Sequence, residues 1–389
     1  MNEDNNYEYL IVGAGLYGAT IARLLTNNNH KCLVIDKHEY VGGMCHDNPF
    51  YAEDGKCMTV HEFGAHIFHT SDKTVIDFVS NYAEFNNYRH SVIAIDSANK
   101  IYHLPFNKNT FYDVFGTIDS KKILETIESE KLDIENPSNL EEQALSLVGK
   151  TLYEKIIKKY TQKQWNKDPK ELPASIINRI PIRMNYNNDY FDDIFQGIPI
   201  GGYTKMISNI LSGIDVKLNY NILDNKEELS KYNKVIYCGA IDELLDYELG
   251  VLQYRSLRFE HNLYKFDYKS SEGIAVTNLI DNQQGTRIID HIWFTPESVE
   301  SFIGNYTIKT LEIPDDWTPE KERYYSINDE ENNTLYTKYI ELLQKTYPNI
   351  IPGGRIGKYK YLDMDDCIKE AMEDYKNIVF NDKYIETLN

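Results

Sequence analysis

The chain has 389 residues, 42% hydrophobic and 26% charged, with 41 Lys and Arg against 60 Asp and Glu for a formal net charge of −19. So acidic a chain lacks the basic face that a nucleic-acid partner requires, and an anionic substrate would need a locally basic pocket. The length exceeds what one core usually supports, so two or three packed units are expected; no run nears the roughly 18 apolar residues of a membrane span.

The opening stretch MNEDNNYEYL is acidic and polar, without the basic and apolar regions of a secretory signal, and a cytoplasmic location is the expectation. Tyr9 to Gly13 reads as a buried strand, Ala19 to Leu25 as a short helix and Lys31 to Asp36 as a second buried strand. From Leu140 through Trp165 the apolar residues fall at helical spacing between polar, proline-containing flanks, which predicts an inserted helical unit. Lys234 to Gly239 reads as a late strand returning to the first unit. Arg255–Phe259, Asn262–Phe266, Ile274–Asn278 and Thr286–Asp290 alternate and are rich in β-formers, which predicts an antiparallel sheet. Asp365 to Tyr375 reads as a closing amphipathic helix.

The expected architecture is α/β: a discontinuous Rossmann-like FAD-binding domain (1–88, 200–244 and 347–389), an inserted helical domain (106–175) with a mobile substrate loop, and an antiparallel-sheet substrate domain (89–105, 176–199 and 245–346). The five cysteines, Cys32, Cys45, Cys57, Cys238 and Cys367, are odd in number and scattered, so free thiols are expected, and no metal site.

Gly13-Ala-Gly15-Leu-Tyr-Gly18 follows a strand and opens a helix. Gly13 makes the tight turn, Gly15 lets the backbone approach a pyrophosphate, and Gly18 permits close helix packing. Asp36 ends the second strand where a ribose-binding acid is expected; the alternative, a helix cap or a surface acid, is disfavoured by its pairing with the glycines. FAD is favoured over NAD by Val41-Gly42-Gly43 and by Gly353-Gly354-Arg355, although both also read as ordinary loop glycines.

Beyond these motifs, the chain resembles the bacterial UDP-galactopyranose mutases nearly end to end. The likeness runs through Gly64-Ala-His-Ile-Phe-His-Thr70, Leu104-Pro-Phe-Asn107, Tyr160-Thr-Gln-Lys-Gln-Trp165, Arg179-Ile-Pro-Ile-Arg183, Gln196-Gly-Ile-Pro-Ile-Gly-Gly-Tyr203, Tyr254-Arg-Ser-Leu257 and Thr286-Arg-Ile-Ile-Asp-His291. The resemblance implies interconversion of UDP-galactopyranose and UDP-galactofuranose, supplying galactofuranose for glycans. In such enzymes N5 of reduced FAD forms a covalent adduct with the anomeric carbon, and no net redox occurs. NAD(P)H would serve only as an external reductant, and a homodimer is implied.

The resemblance also assigns residues. Arg179 and Arg287 would stabilise the departing diphosphate, where fixed cationic donors lower the barrier. His69 would lie near the flavin ring, and His66 and Ile67 would contact the cofactor. Tyr160 would stack on uracil beside Thr161, with Trp165 at the sugar, on a segment whose polar surroundings read as an exposed, mobile loop end. Tyr190, Tyr325 and Tyr361 would donate phenol hydrogen bonds to the diphosphate, with Arg255 and Asn278 also at the substrate. Tyr17, Lys37, Gly43, Asn221, Ile222, Arg355, Asp363, Met364, Asp365 and Ile368 complete the implied cofactor set.

Two positions depart from the family pattern, where Asn is usual. Met44 follows the glycine pair at the cofactor, and His90 precedes a strand at the substrate. Two other readings share the dinucleotide unit: a flavin amine oxidase or desaturase, which would want an apolar tunnel, and a carrier of prenylated GTPases, which would not need intact phosphate-loop glycines.

Overall fold

The computed structural model describes residues 7–177, 181–266 and 273–380. Tyr9–Val12 lies in the middle of a five-stranded parallel sheet ordered Ile350–Pro352, Lys234–Tyr237, Tyr9–Val12, Cys32–Ile35, Asp215–Lys217. Central parallel strands are covered on both faces, which accounts for the unbroken apolar run at Leu10-Ile-Val12. Successive side chains take opposite sides. Ile11 packs with Ala19, Ile21 and Ala22 of helix Leu16–Asn27 and with Ile368, Ala371 and Tyr375 of the closing helix Met364–Phe380. Leu10 packs with Val235, Ile241, Leu244, Tyr339 and Leu343 on the other face.

The first helix begins at Leu16, three residues earlier than Ala19, because Gly15 stands in extended conformation as its N-cap. The closing helix likewise runs on to Phe380 rather than Tyr375.

The second sheet has seven strands, ordered Tyr325–Ser326, Tyr254–Lys265, Tyr306–Asp316, Arg287–Asp290, Val276–Leu279, Val92–Ile95, Ile101–Leu104. Pairing is antiparallel except between Val276–Leu279 and Val92–Ile95, which run parallel. The two segments expected at Arg255–Phe259 and Asn262–Phe266 are one strand, paired along its length with Tyr306–Asp316. Glu260-His261 between them contains neither glycine nor proline, so alternation continues with no turn.

The helical stretch beginning at Leu140 is broken. Helix Leu140–Val148 ends at Gly149, whose φ of 79° places it outside helical space. A short turn, Lys150–Leu152, and a π turn, Tyr153–Ile157, follow before helix Lys158–Trp165. Helices Lys108–Phe115 and Ser120–Glu130 complete this unit. No helix of the described residues is long and apolar enough to cross a membrane.

The strand, turn and first helix are held together by a contact that only glycine allows. A Cβ on Gly18 would stand 2.0 Å from the Gly13 carbonyl oxygen. Gly18→Ala is therefore expected to lower the unfolding free energy by about 1–3 kcal/mol, the usual cost of overpacking a rigid site. Urea unfolding at wild-type stability would show that the turn can relax.

Candidate active site

At the end of Tyr9–Val12 the backbone turns through Gly13 with φ 115°, so Gly15 meets the start of helix Leu16–Asn27. The unpaired N–H groups of that first turn form the electropositive end of the helix. A second glycine turn lies against the first: the Gly42 amide donates to the Ala14 carbonyl at 2.9 Å, and a Cβ on Gly43 would come within 3.3 Å of Gly15 Cα. Together the turns leave a wall of bare backbone along a cavity of about 1560 Å³.

Asp36 is buried at the end of Cys32–Ile35. One carboxylate oxygen accepts the Ala14 amide at 2.7 Å, and the other accepts the His38 amide at 2.9 Å and lies 2.9 Å from His38 Nδ1. Burial alone would push this carboxyl up, but the His38 ring and the two amides outweigh it and hold it below its usual range. His38 is pushed up to about 9 by its bond to Asp36 and by Glu322.

Further along, His66 Nδ1 lies 2.8 Å from the Gly64 carbonyl oxygen, its only acceptor there, so it carries the proton. His69 Nδ1 lies 2.8 Å from Asp193, and its ring stacks on Phe191 at 3.6 Å. His90 is buried, with Nδ1 3.1 Å from the Tyr88 hydroxyl and its ring beside Tyr190 and Phe191.

The opposite wall comes from the seven-stranded sheet and the helical unit. Arg287 lies 3.4 Å from the buried carboxylate of Glu312, its cross-strand neighbour, and its guanidinium sits 6.0 Å from the centre of the Tyr160 ring. The Tyr160 hydroxyl and Asn278 Oδ1, the latter directly across from Arg287, are buried and have no protein hydrogen-bond partner. Buried polar atoms are seldom left unmatched, so this corner is suited to a polar guest. Trp165, Tyr325 and Tyr361 form a ladder with ring centres 6.4 and 6.0 Å apart, which ends on the Arg355 guanidinium at 4.9 Å.

Of the residues expected at a site, the cavity is lined by Gly13, Gly15, Tyr17, Gly18, Asp36, Lys37, Gly43, Met44, His66, Ile67, Asn221, Ile222, Arg355, Asp363 and Met364. The same cavity reaches His69, His90, Trp165, Tyr190, Arg255, Asn278, Arg287, Tyr325 and Tyr361. Tyr160, Thr161, Asp365 and Ile368 are not among its lining residues; Thr161 is buried and Ile368 belongs to the core under the first helix. Arg179 lies outside the described residues. The expected exposed loop end at Tyr160 to Trp165 is a helix, because its inward face packs on the neighbouring sheet.

His38, Phe191, Asp193 and Glu312 escaped the sequence reading. Only His38 carried a local signal, as a ring two residues beyond Asp36; the others are brought in by strand pairing and loop packing. Among the described residues no group of three or more His, Cys, Asp and Glu side chains is arranged to hold a metal ion.

Comparison with known proteins bears on this arrangement. Residues 155–361 match the family described as GLF, UDP-galactopyranose mutase, and residues 11–82 match a NAD(P)-binding Rossmann-like domain. The chain is 37% identical over 382 residues to the dTDP-fucopyranose mutase of Escherichia coli, covering 96% of this chain and 99% of that protein. It is 38% identical over 381 residues to a probable UDP-galactopyranose mutase of Klebsiella pneumoniae, covering 95% and 94%. A crystal structure of reduced UDP-galactopyranose mutase shares the fold, with a TM-score of 0.70 at 15% identity over 98% of this chain and 96% of that one.

The buried histidines carry a pH signature. Burial pushes His90 down to about 3, with the charges of Arg287 and His69 adding to it. Burial likewise takes His291 to about 3 and His66 to about 4. An unfolded chain takes up these protons near 6.5 and the folded one does not, so stability is lost as pH falls from that value toward 4. Between about pH 7 and pH 5 each histidine should cost at most about 2 kcal/mol. His90→Asn should flatten the dependence by one such share in urea unfolding at the two pH values; an unchanged slope would mean that His90 is protonated in the folded state.

Proposed function

Because the chain belongs to the UDP-galactopyranose mutase family, a family of flavin-dependent isomerases, we propose that it interconverts UDP-galactopyranose and UDP-galactofuranose with bound FAD in its reduced form. The observation that carries this reading is that one cavity joins a dinucleotide cradle of bare backbone to a cationic corner lined by Arg287 and Asn278, with the Tyr160 ring beside Arg287 behind it. Reduced FAD, when bound, would supply N5 as a nucleophile toward the anomeric carbon as UDP leaves, and would give that carbon back to UDP after the ring has changed size, so no electrons are gained or lost.

The chain's own residues would hold and discharge the reactants. Gly13, Gly15 and Gly18 admit the pyrophosphate of FAD to the helix N-terminus, while Asp36, Lys37, Asn221 and Ile222 border the adenosine end. Tyr17, Gly43, Met44, His66, Ile67, Arg355, Asp363 and Met364 border the remainder, with Asp365 and Ile368 behind them on the closing helix.

Charge that develops on the leaving diphosphate would be met by Arg287, by Arg179 and by the phenols of Tyr190, Tyr325 and Tyr361. Tyr160 and Thr161 would receive the base, with Trp165, Arg255, Asn278 and His90 about the sugar. His69, whose Nδ1 faces Asp193, keeps Nε2 available to a sugar hydroxyl as the ring opens and closes. NAD(P)H acts only to reduce the flavin. We further infer a homodimer in the cytoplasm that supplies galactofuranose for glycan synthesis.

The E. coli relative favours a second reading within the same chemistry, in which the substrate is a thymidine diphosphate sugar lacking the 6-hydroxyl. Dithionite-reduced protein incubated separately with UDP-galactofuranose and dTDP-fucofuranose, followed by product chromatography, decides between them. The UDP sugar should be the better substrate by kcat/KM, and preference for the dTDP sugar would replace the first reading with the second.

Activity should be almost absent in air, should return on reduction, and should consume no NAD(P)H. Cyanoborohydride added to reduced enzyme and UDP-galactose should yield a flavin-sugar adduct detectable by mass. Full activity of the oxidised protein, or stoichiometric NAD(P)H use, would show a redox enzyme instead. Arg287→Ala and Arg179→Ala should each lower turnover by about 10²-fold or more with flavin content retained, by analogy with loss of one oxyanion donor. Near-wild-type turnover in both would reject their role at the diphosphate.

A further inference from the structure

Lys163 lies one helical turn beyond Tyr160 on helix Lys158–Trp165, yet it is not among the residues lining the cavity. Its Nζ donates to three backbone carbonyls: Leu279 at 2.6 Å, Gly285 at 2.7 Å and Gln283 at 3.2 Å. Leu279 ends the strand Val276–Leu279, which carries Asn278, and Gln283 and Gly285 lie in the turn that joins it to the strand that opens with Arg287. The ammonium thus fills the inside of the turn and replaces a network the turn would otherwise have to make within itself.

The turn is fixed elsewhere as well. The Gln283 side chain donates to the Ile95 carbonyl at 3.1 Å, Asp281 accepts from the Ser97 amide and hydroxyl at 2.9 and 2.6 Å, and Gly285 approaches the backbone of Glu312. The helix is less constrained at its start, where the π turn Tyr153–Ile157 interrupts the α-helical hydrogen-bond ladder. It stops at Asn166, whose φ is 52°. A charged donor bonded to three carbonyls is a strong, directional tie.

We propose that Lys163 is a positioning residue that latches the helix carrying Tyr160 and Trp165 onto the turn between Asn278 and Arg287, so that the aromatic and cationic halves of the substrate site close as one body. This rests on the reading above that these residues receive a nucleotide sugar. Burial, opposed by nearby Asp281, brings the lysine down to about 8.

The test is calorimetric titration of UDP into the oxidised, FAD-loaded wild type, Lys163→Met and Lys163→Arg, with KM and kcat for UDP-galactofuranose on the reduced proteins. Lys163→Met should raise both the Kd for UDP and the KM by about tenfold, as loss of a charged hydrogen-bond set implies. Its kcat and flavin content should stay near wild type. Lys163→Arg keeps the charge but cannot seat one ammonium among three carbonyls, and should fall between the two; it carries the test alone if Lys163→Met does not fold.

Wild-type UDP affinity in the variants overturns the latch. So does a loss of kcat at unchanged KM, or a fall in affinity matched by loss of flavin. A wild type that binds no UDP overturns the functional reading first, and the latch with it.

Discussion

Backbone meeting backbone without an intervening side chain is the constraint on which the cofactor half of this molecule rests. Gly18 lies against the Gly13 carbonyl, Gly42 bonds to Ala14, and Gly43 faces Gly15. Each approach fixes the next. Because the first helix is pressed onto the strand end, the Ala14 amide points at Asp36, and because that carboxylate is held there, His38 is drawn in and held protonated. The second glycine turn can then close one side of the cavity at backbone thickness. A Cβ at Gly18 would therefore displace backbone, the wall itself, and not a side chain that could turn aside.

Electrostatics impose the second constraint. A chain of net charge −19 has to present positive charge at one corner, and it does so with arginines that are already partnered. Arg287 faces Glu312, Arg255 faces Asp316 and Arg323 faces Glu243. Burying an arginine against a carboxylate keeps it charged and oriented, while the partner tempers the field that a bound anion feels. The neutral, buried histidines nearby add hydrogen-bonding capacity without further charge. The corner at Arg287 is therefore tuned by its neighbours, and Glu312 is as much a part of it as the arginine.

Much of this was legible in sequence, for reasons that differ by element. Strand, glycine turn, helix and Asp36 are encoded within a few dozen consecutive residues, so local spacing reveals them. The break at Gly149 was visible as a residue, but the helical periodicity on either side of it conceals the interruption. Strand Tyr254–Lys265 reads as two because its outer half is exposed and polar, and only its long partner Tyr306–Asp316 shows that it continues. The parallel pairing of Val276–Leu279 with Val92–Ile95 joins segments far apart in the chain, and nothing local marks it. Glu312, Asp193 and Lys163 are hidden for the same reason. Each acts through a contact whose other half lies many residues away.

The order of strands in the parallel sheet also bears on how the protein is made. The central strand Tyr9–Val12 pairs on one side with Cys32–Ile35, which leaves the ribosome soon after it, and on the other with Lys234–Tyr237. At 5–20 residues per second, the second partner follows on the order of ten to forty seconds later. Throughout that interval the nascent chain carries an unpaired apolar strand edge, the kind of surface on which neighbouring chains on a polysome pair. The discontinuous layout that brings distant segments to one cavity thus exposes the growing polypeptide to aggregation, and shielding by chaperones during translation becomes part of what this fold demands of its cell.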